Sequence, residues 1–282
     1  MAADFHSCAD LRSVATCLSE REQLQDDGMS GSEGSEKNRG DSGALLYRSR
    51  GSGTDHLRAA RAYLGAKDGS GGSEPWTVKG WPLTRERQTR ILREWAVEQG
   101  LWIQAEALGE IQRGRMEHDL FKVVGGTGIR MGKITKGAGF GRHPFCEDLV
   151  SGMVSDWFQA RPGSPLQYLE RLELVNRRLF PGMNLLEGFS EMDGRFVIVT
   201  SQPFFAGRDS THREIAEWFS SRGFEPVCDG TWFCPDDGLA VFDAGRTNLV
   251  FSEGRPVPID VIPMVAEGRF LSRLEEAVGR KL

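Results

Sequence analysis

Between residues 118 and 261 the chain is cut at short intervals by turn sequences set between apolar runs: GGTG at 125–128, MDGR at 192–195, PDDG at 235–238 and SEGR at 252–255. Glycine preceded by Asp, Gly or another small polar residue reverses a strand tightly, so each predicts a β-hairpin. Helical periodicity separates them. Thr84 is placed to cap a helix in which Ile91, Leu92, Trp95 and Ala96 recur, ended by Gly100. Leu166, Leu169, Leu172, Val175 and Leu179 mark a second helix, stopped by Pro181 and Gly182. Ile215, Trp218 and Phe219 mark a third, closed by Gly223. The order is helix, hairpin, helix, hairpin, helix and then short strands. That is α+β, not the strict alternation of a doubly wound parallel sheet.

The chain has 282 residues. From 25 to 53 it reads QDDGMSGSEGSEKNRGDSGALLYRSRGSG, whose Gly, Ser and charge bury too little apolar surface to offset the entropy of ordering. Residues 1–75 are therefore expected to be a largely disordered tail, with helical character only in TDHLRAARAYL at 54–64, and the globular part is expected to begin near Trp76. A net charge of −5 and the lack of a basic stripe with interleaved aromatics disfavour nucleic acid as a partner. The N-terminus lacks a cationic start followed by an apolar run, and no segment has the length of a membrane span, which predicts a soluble, cytoplasmic protein. Five scattered cysteines read as free thiols, although Cys228 and Cys234 in CDGTWFC are spaced to pair across a hairpin.

Glycine-rich GGTGIRMG and GAGFG lack the spacing of a dinucleotide loop, and no phosphate-binding G-x-x-x-x-G-K-[ST] occurs. More specific is FDAGRTNLVFSEGRPVPIDV at 242–261. Asp243 ends an apolar strand in phase with Leu239 and Val241, Asn248 follows, and Asp260 closes the hairpin that brings the chain back. All three oxygen-bearing side chains then lie at one end of the strands, a donor set suited to a hard cation. Taken singly, Asp243 and Asn248 fit turn positions and Asp260 a strand end. A further observation favours the joint reading. In KITKG, alternation puts Lys133 on the face of Ile129 and Met131, where a lysine needs an anionic partner.

Asp-x-x-x-x-Asn, a short hairpin and a second Asp, preceded by a strand lysine and the segment Thr200–Pro203, resemble the protein-kinase superfamily. More closely, EHDLFKV, KITKGAGFG, YLERLELVNRRLF, VTSQPFFAG and DAGRTNLVFSEGRPVPID are similar to the kinase-like domain of polyvalent proteins of phages and conjugative elements. The resemblance spans roughly residues 102–263. It implies a compact two-lobed kinase-like fold over 76–282, with an N-lobe at about 102–200, a hinge at about 200–206 and a reduced C-lobe at about 207–282. It further implies a phosphotransferase using ATP and Mg2+ on a hydroxyl acceptor, in which Lys133 holds the α- and β-phosphates and Asp243 orients or deprotonates the acceptor. By the same resemblance, Asn248 and Asp260 hold magnesium, and the backbone of Ser201 and Gln202 meets adenine. Phe242 stands before Asp243 and Val261-Ile262 after Asp260, unlike the protein-kinase motifs. An interaction module that keeps the fold without transfer, and a small-molecule kinase, are the alternatives. The acid that pairs with Lys133 is left open between Glu170, Glu173 and another residue; between the two, the helical wheel favours Glu173.

Overall fold

The computed structural model describes residues 53–68, 81–114, 117–125, 128–136, 139–145 and 159–279. Its first large unit is an antiparallel sheet of β1 (Ile111–Gln112), β2 (His118–Gly125), β3 (Gly128–Thr135), β6 (Leu185–Met192) and β7 (Arg195–Pro203), in the order β1-β2-β3-β7-β6. The two predicted hairpins supply it. Asp193 and Gly194 take φ of 50° and 71°, the left-handed pair that a two-residue turn demands. Joining β3 to β7 places Lys133 opposite Thr200 and Met131 opposite Gln202. These four share one face of the sheet; Gly132, Ile134, Val199 and Ser201 share the other. On that second face the ring of Phe121 lies over Gly132, where an added Cβ would stand 2.3 Å from it. Leu108, Val123, Ile134, Val197 and Val199 complete the cluster.

Three helices pack beside the sheet: α1 (Gly53–Asp68), α2 (Trp81–Glu98) and α3 (Pro165–Leu174), the last continuing through a widened turn, Val175–Leu179. Leu57, Ala60 and Leu64 of α1 are buried against Leu92, Trp95 and Ala96 of α2, Tyr168, Leu169 and Leu172 of α3, and Phe189, Phe196 and Ile198 of the sheet. The patch with expected helical character at 54–64 lies within α1, so the first packed element precedes Trp76. The apolar spacing of this short helix is legible between flanking sequences rich in Gly and Ser. The rest of the expected tail lies outside the described residues. Ser164 caps α3 in a reciprocal box with Gln167, and Pro165 follows at the first helical position. Past the helix, Asn176 binds the main chain of Asn184 through both ends of its amide at 2.7 Å, which pins the connection to β6. Between β3 and α3 the chain forms a two-stranded ribbon, β4 (Arg142–Phe145) and β5 (Gln159–Pro162).

The C-terminal part contains β8 (Arg208–Asp209), α4 (His212–Ser220), β9 (Glu225–Cys228), β10 (Thr231–Cys234), β11 (Leu239–Phe242), β12 (Leu249–Ser252), β13 (Arg255–Pro258), β14 (Ile262–Val265) and α5 (Gly268–Ala277). Its strands form two small sheets, β14-β11-β10-β9 and β13-β12-β8. Phe219 stacks on Trp232 with centroids 4.9 Å apart, at the centre of a core that includes Val241, Leu249, Val250 and Val257. That core runs on to Leu120 and Met131, so the C-terminal part covers the sheet face that carries Lys133. The mixture of helices with antiparallel sheets is α+β, as the sequence pattern predicts. Cys228 and Cys234 are not joined in a disulfide. Among the described residues, no helix is long and apolar enough to cross a membrane.

Candidate active site

β11 ends at Phe242, and the next residue, Asp243, has a φ of 53°. Asp is among the few residues other than glycine that enter this left-handed region readily. The main chain then turns through Arg246–Asn248 into β12. Register in the β12–β13 hairpin pairs Leu249 with Pro258, so the chain comes back beside its starting point as its sequence predicts. Asn248 fastens the two ends. Its Nδ2 donates to Asp243 O at 2.7 Å, and its main-chain carbonyl accepts the amides of Ile259 and Asp260 at 2.9 and 3.4 Å. The residue is 2% exposed, and among the described residues its Oδ1 has no hydrogen-bond partner. A buried amide oxygen without a partner costs about 1–3 kcal/mol, an unusual expense in a side chain otherwise so well bonded. Burial, and after it the charge of Asp260, raises the Asp243 carboxyl from 3.8 to about 7.

From the facing sheet, Lys133 reaches the same segment. Its Nζ donates to Ile259 O at 3.0 Å and stands 3.6 Å from Asp260 Oδ1. Lys133 is 5% exposed, so the ion pair and hydrogen bond compensate a charge that β3 has carried into the interior. Arg171 of α3 reaches the same carboxylate: Nη2 donates to Asp260 Oδ1 at 2.9 Å, Nη1 to Glu117 Oε2 at 2.8 Å and Nε to Val261 O at 3.1 Å. Burial works against the guanidinium charge, but Glu117 and Asp260 outweigh it and raise its pKa. Behind Lys133, His118 Nε2 and the Tyr168 hydroxyl are 2.9 Å apart, and that hydroxyl lies 3.5 Å from Thr200 Oγ1. Burial, then the nearby Lys133 charge, lowers His118 to about 3 and leaves its imidazole neutral. A carboxylate oxygen of Glu117, a ring nitrogen of His118 and a carboxylate oxygen of Asp260 lie within 4.8 Å of one another.

Lys133, Asp243, Asn248 and Asp260 are thus brought together, whereas Glu170, Glu173 and Ser201 make their contacts elsewhere. Glu173 lies 3.1 Å from Arg61 of α1 and 3.6 Å from Arg177, so it belongs to a helix–helix contact. Glu170 is likewise under the charge of Arg61, while burial raises its carboxyl. The acid at Lys133 is Asp260, and α3 contributes a cation, Arg171, to the same carboxylate. Ser201 and Gln202 both lie near the end of β7. Ser201 faces away from Lys133 and binds Arg130 and Glu187, and its carbonyl accepts Arg130 Nη2 at 3.1 Å. Gln202 shares the Lys133 face and is buried, and among the described residues its Oε1 has no hydrogen-bond partner. The irregular connection runs over 204–207, overlapping the end of the segment expected as a hinge at about 200–206.

Arg171, Glu117, His118 and Tyr168 escaped the sequence reading. One signal was present: Tyr168, Arg171, Leu172 and Val175 follow the i, i+3, i+4, i+7 spacing of a buried stripe, so an arginine stood in an apolar row just as Lys133 did. Glu117 offers no such pattern, because its placement depends on where β2 begins.

Residues 159–267 match the model of a family described as serine/threonine/tyrosine kinase found in polyvalent proteins. The match supports a kinase-like domain of polyvalent proteins in this chain, covering α3, Asp243, Asn248 and Asp260 and leaving Lys133 outside it. No curated protein and no solved structure matches the chain.

Proposed function

We propose that this kinase-like domain binds Mg-ATP between the Lys133 face of the sheet and the Asp243–Asp260 hairpin, and transfers the γ-phosphoryl group to a hydroxyl acceptor. One observation carries the reading. Asn248 ties the Asp243 and Asp260 segments together under the buried Lys133, yet keeps a buried oxygen without a partner. An orphaned amide oxygen on a residue bonded to the main chains of both Asp243 and Asp260 suits a hard divalent cation, so Asn248 and Asp260 are the residues to hold magnesium. The cation, when bound, neutralises charge on the phosphates.

The chain's own residues have distinct tasks in this reading. Lys133 supplies a fixed positive charge for the α- and β-phosphates, already positioned by Ile259 O and Asp260. Asp243, with a carboxyl near neutrality, accepts the proton of the acceptor hydroxyl as its oxygen bonds to the γ-phosphorus and the bond to the β-phosphate oxygen breaks, releasing ADP. Gln202, whose buried Oε1 faces the Lys133 side, is better placed to meet the nucleotide than Ser201. The five-stranded sheet with α3 forms one lobe, 204–207 the connection, and β8 to α5 a reduced second lobe. A protein Ser, Thr or Tyr is the acceptor that the family description suggests, and a cytoplasmic setting goes with ATP as donor.

Transfer of labelled γ-phosphate, by autophosphorylation and to added protein acceptors, tests this in wild type, Asp243→Asn and Asp260→Asn with folding verified. Transfer by wild type and its loss in both variants is expected. Magnesium-dependent nucleotide binding without transfer would favour the interaction module instead. Transfer that survives in both variants would remove the hairpin from the chemistry.

A further inference from the structure

We infer that Arg171 is a positioning residue: it orients the Asp260 carboxylate for a divalent cation, with Glu117 as the counter-charge that holds the guanidinium. The inference rests on the reading of Asp260 as a cation ligand. Arg171 occupies a buried helix stripe between Tyr168 and Leu172, a place where a charge persists only when its donors are matched. Three of its donors are. Nη2 holds the side chain of Asp260 while Nε holds the main chain of Val261, so the carboxylate is fixed relative to its own backbone. With Lys133 on Ile259 O, the consecutive residues Ile259, Asp260 and Val261 are each gripped by a buried cation. Nη1 on Glu117 sets the rotation of the planar fork.

The turn before β4 closes the arrangement. A Cβ at Gly141 would lie 3.2 Å from Arg171 Nη1 and 3.3 Å from Glu117 Oε2, at a φ of +66° that already disfavours a side chain. Glycine there lets the main chain cover the ion pair. A lysine at 171 would keep the charge and lose the fork, so it could satisfy Asp260 or Val261 but not both with the same geometry. An anchoring role and a purely electrostatic one predict opposite signs. As a mere neighbouring charge, the guanidinium repels a cation, and its removal would tighten binding. As an anchor, its removal frees Asp260 to rotate, and binding weakens.

Mn2+ alone, titrated into the full chain and followed by the paramagnetic resonance signal of the free ion, separates these outcomes. Wild type is compared with Arg171→Gln, Arg171→Lys and the double variant Arg171→Gln/Glu117→Gln, which removes one charge of each sign; circular dichroism and thermal melts accompany each. Loss of an outer partner of a metal ligand typically costs about 10–100-fold in affinity, so Arg171→Gln and the double variant are expected to bind Mn2+ at least about tenfold more weakly, with Arg171→Lys in between. Tighter binding by Arg171→Gln that returns to wild type in the double variant would overturn the anchoring role. So would unchanged affinity in folded variants, which would leave Arg171 structural. If Arg171→Gln does not fold, Arg171→Lys decides alone: wild-type affinity overturns the inference. A wild type that binds no Mn2+ would overturn the cation site itself along with the anchor.

Discussion

Asp243→Asn is expected to stabilise the folded chain, and to do so increasingly as pH rises. Asparagine tolerates the left-handed φ of 53° about as well as aspartate, so the exchange leaves the backbone in place and removes only the ionisation. Burial and the charge of Asp260 raise the Asp243 carboxyl from 3.8 to about 7, so the folded state binds its proton more tightly than the unfolded state does. Stability from such a group is complete below the unfolded value and is lost as pH rises through the folded value. Between pH 5 and about 7 the wild type should therefore lose about 1.4 kcal/mol per pH unit, roughly 2–3 kcal/mol in all, that the asparagine variant keeps. Urea unfolding of both proteins at pH 5, 6, 7 and 8 measures it. The gap should widen to pH 7 and then level off, while phosphoryl transfer is lost in the variant. A gap of constant size across this range would refute the reasoning, since it would mean that Asp243 ionises as freely folded as unfolded.

Two core substitutions test the packing that brings the site together. Gly132→Ala puts a Cβ into the ring of Phe121 and should lower stability by about 1–3 kcal/mol in thermal or urea unfolding. Phe219→Ala removes the ring stacked on Trp232 where the C-terminal core meets the sheet, and should cost about 3–5 kcal/mol by the same measurement.

Lys133, Asp243, Asn248 and Asp260 were legible because each relies on local geometry. Alternation places Lys133 inward, and a hairpin of known length returns Asp260 to Asn248. The partner of Lys133 was not legible. A helical wheel states which face of α3 is covered but not by what, and Arg61 arrives from a helix more than a hundred residues earlier to take Glu173. Arg171 carried the same signal as Lys133, a charge in an apolar row, but its partners Glu117, Asp260 and Val261 come from three separate segments. Helix α1 was visible as a short periodic patch, and its role was not, because its core partners in α2, α3 and the sheet lie far along the chain. The segment expected to be a hinge illustrates a different limit. Pro203 suggests that pairing stops, yet it stands opposite Arg130 in the ladder and the strand runs to that residue.

The central claim is that the Lys133 face and the Asp243–Asp260 hairpin together bind Mg-ATP. Calorimetric titration of a non-hydrolysable ATP analogue, with Mg2+ and with the metal chelated, into wild type and folded Lys133→Met tests it most directly. The account predicts saturable binding by wild type that depends on Mg2+, weakened at least about tenfold when the buried ammonium is removed. Absence of Mg2+-dependent binding in wild type, or equal affinity in Lys133→Met, would contradict it.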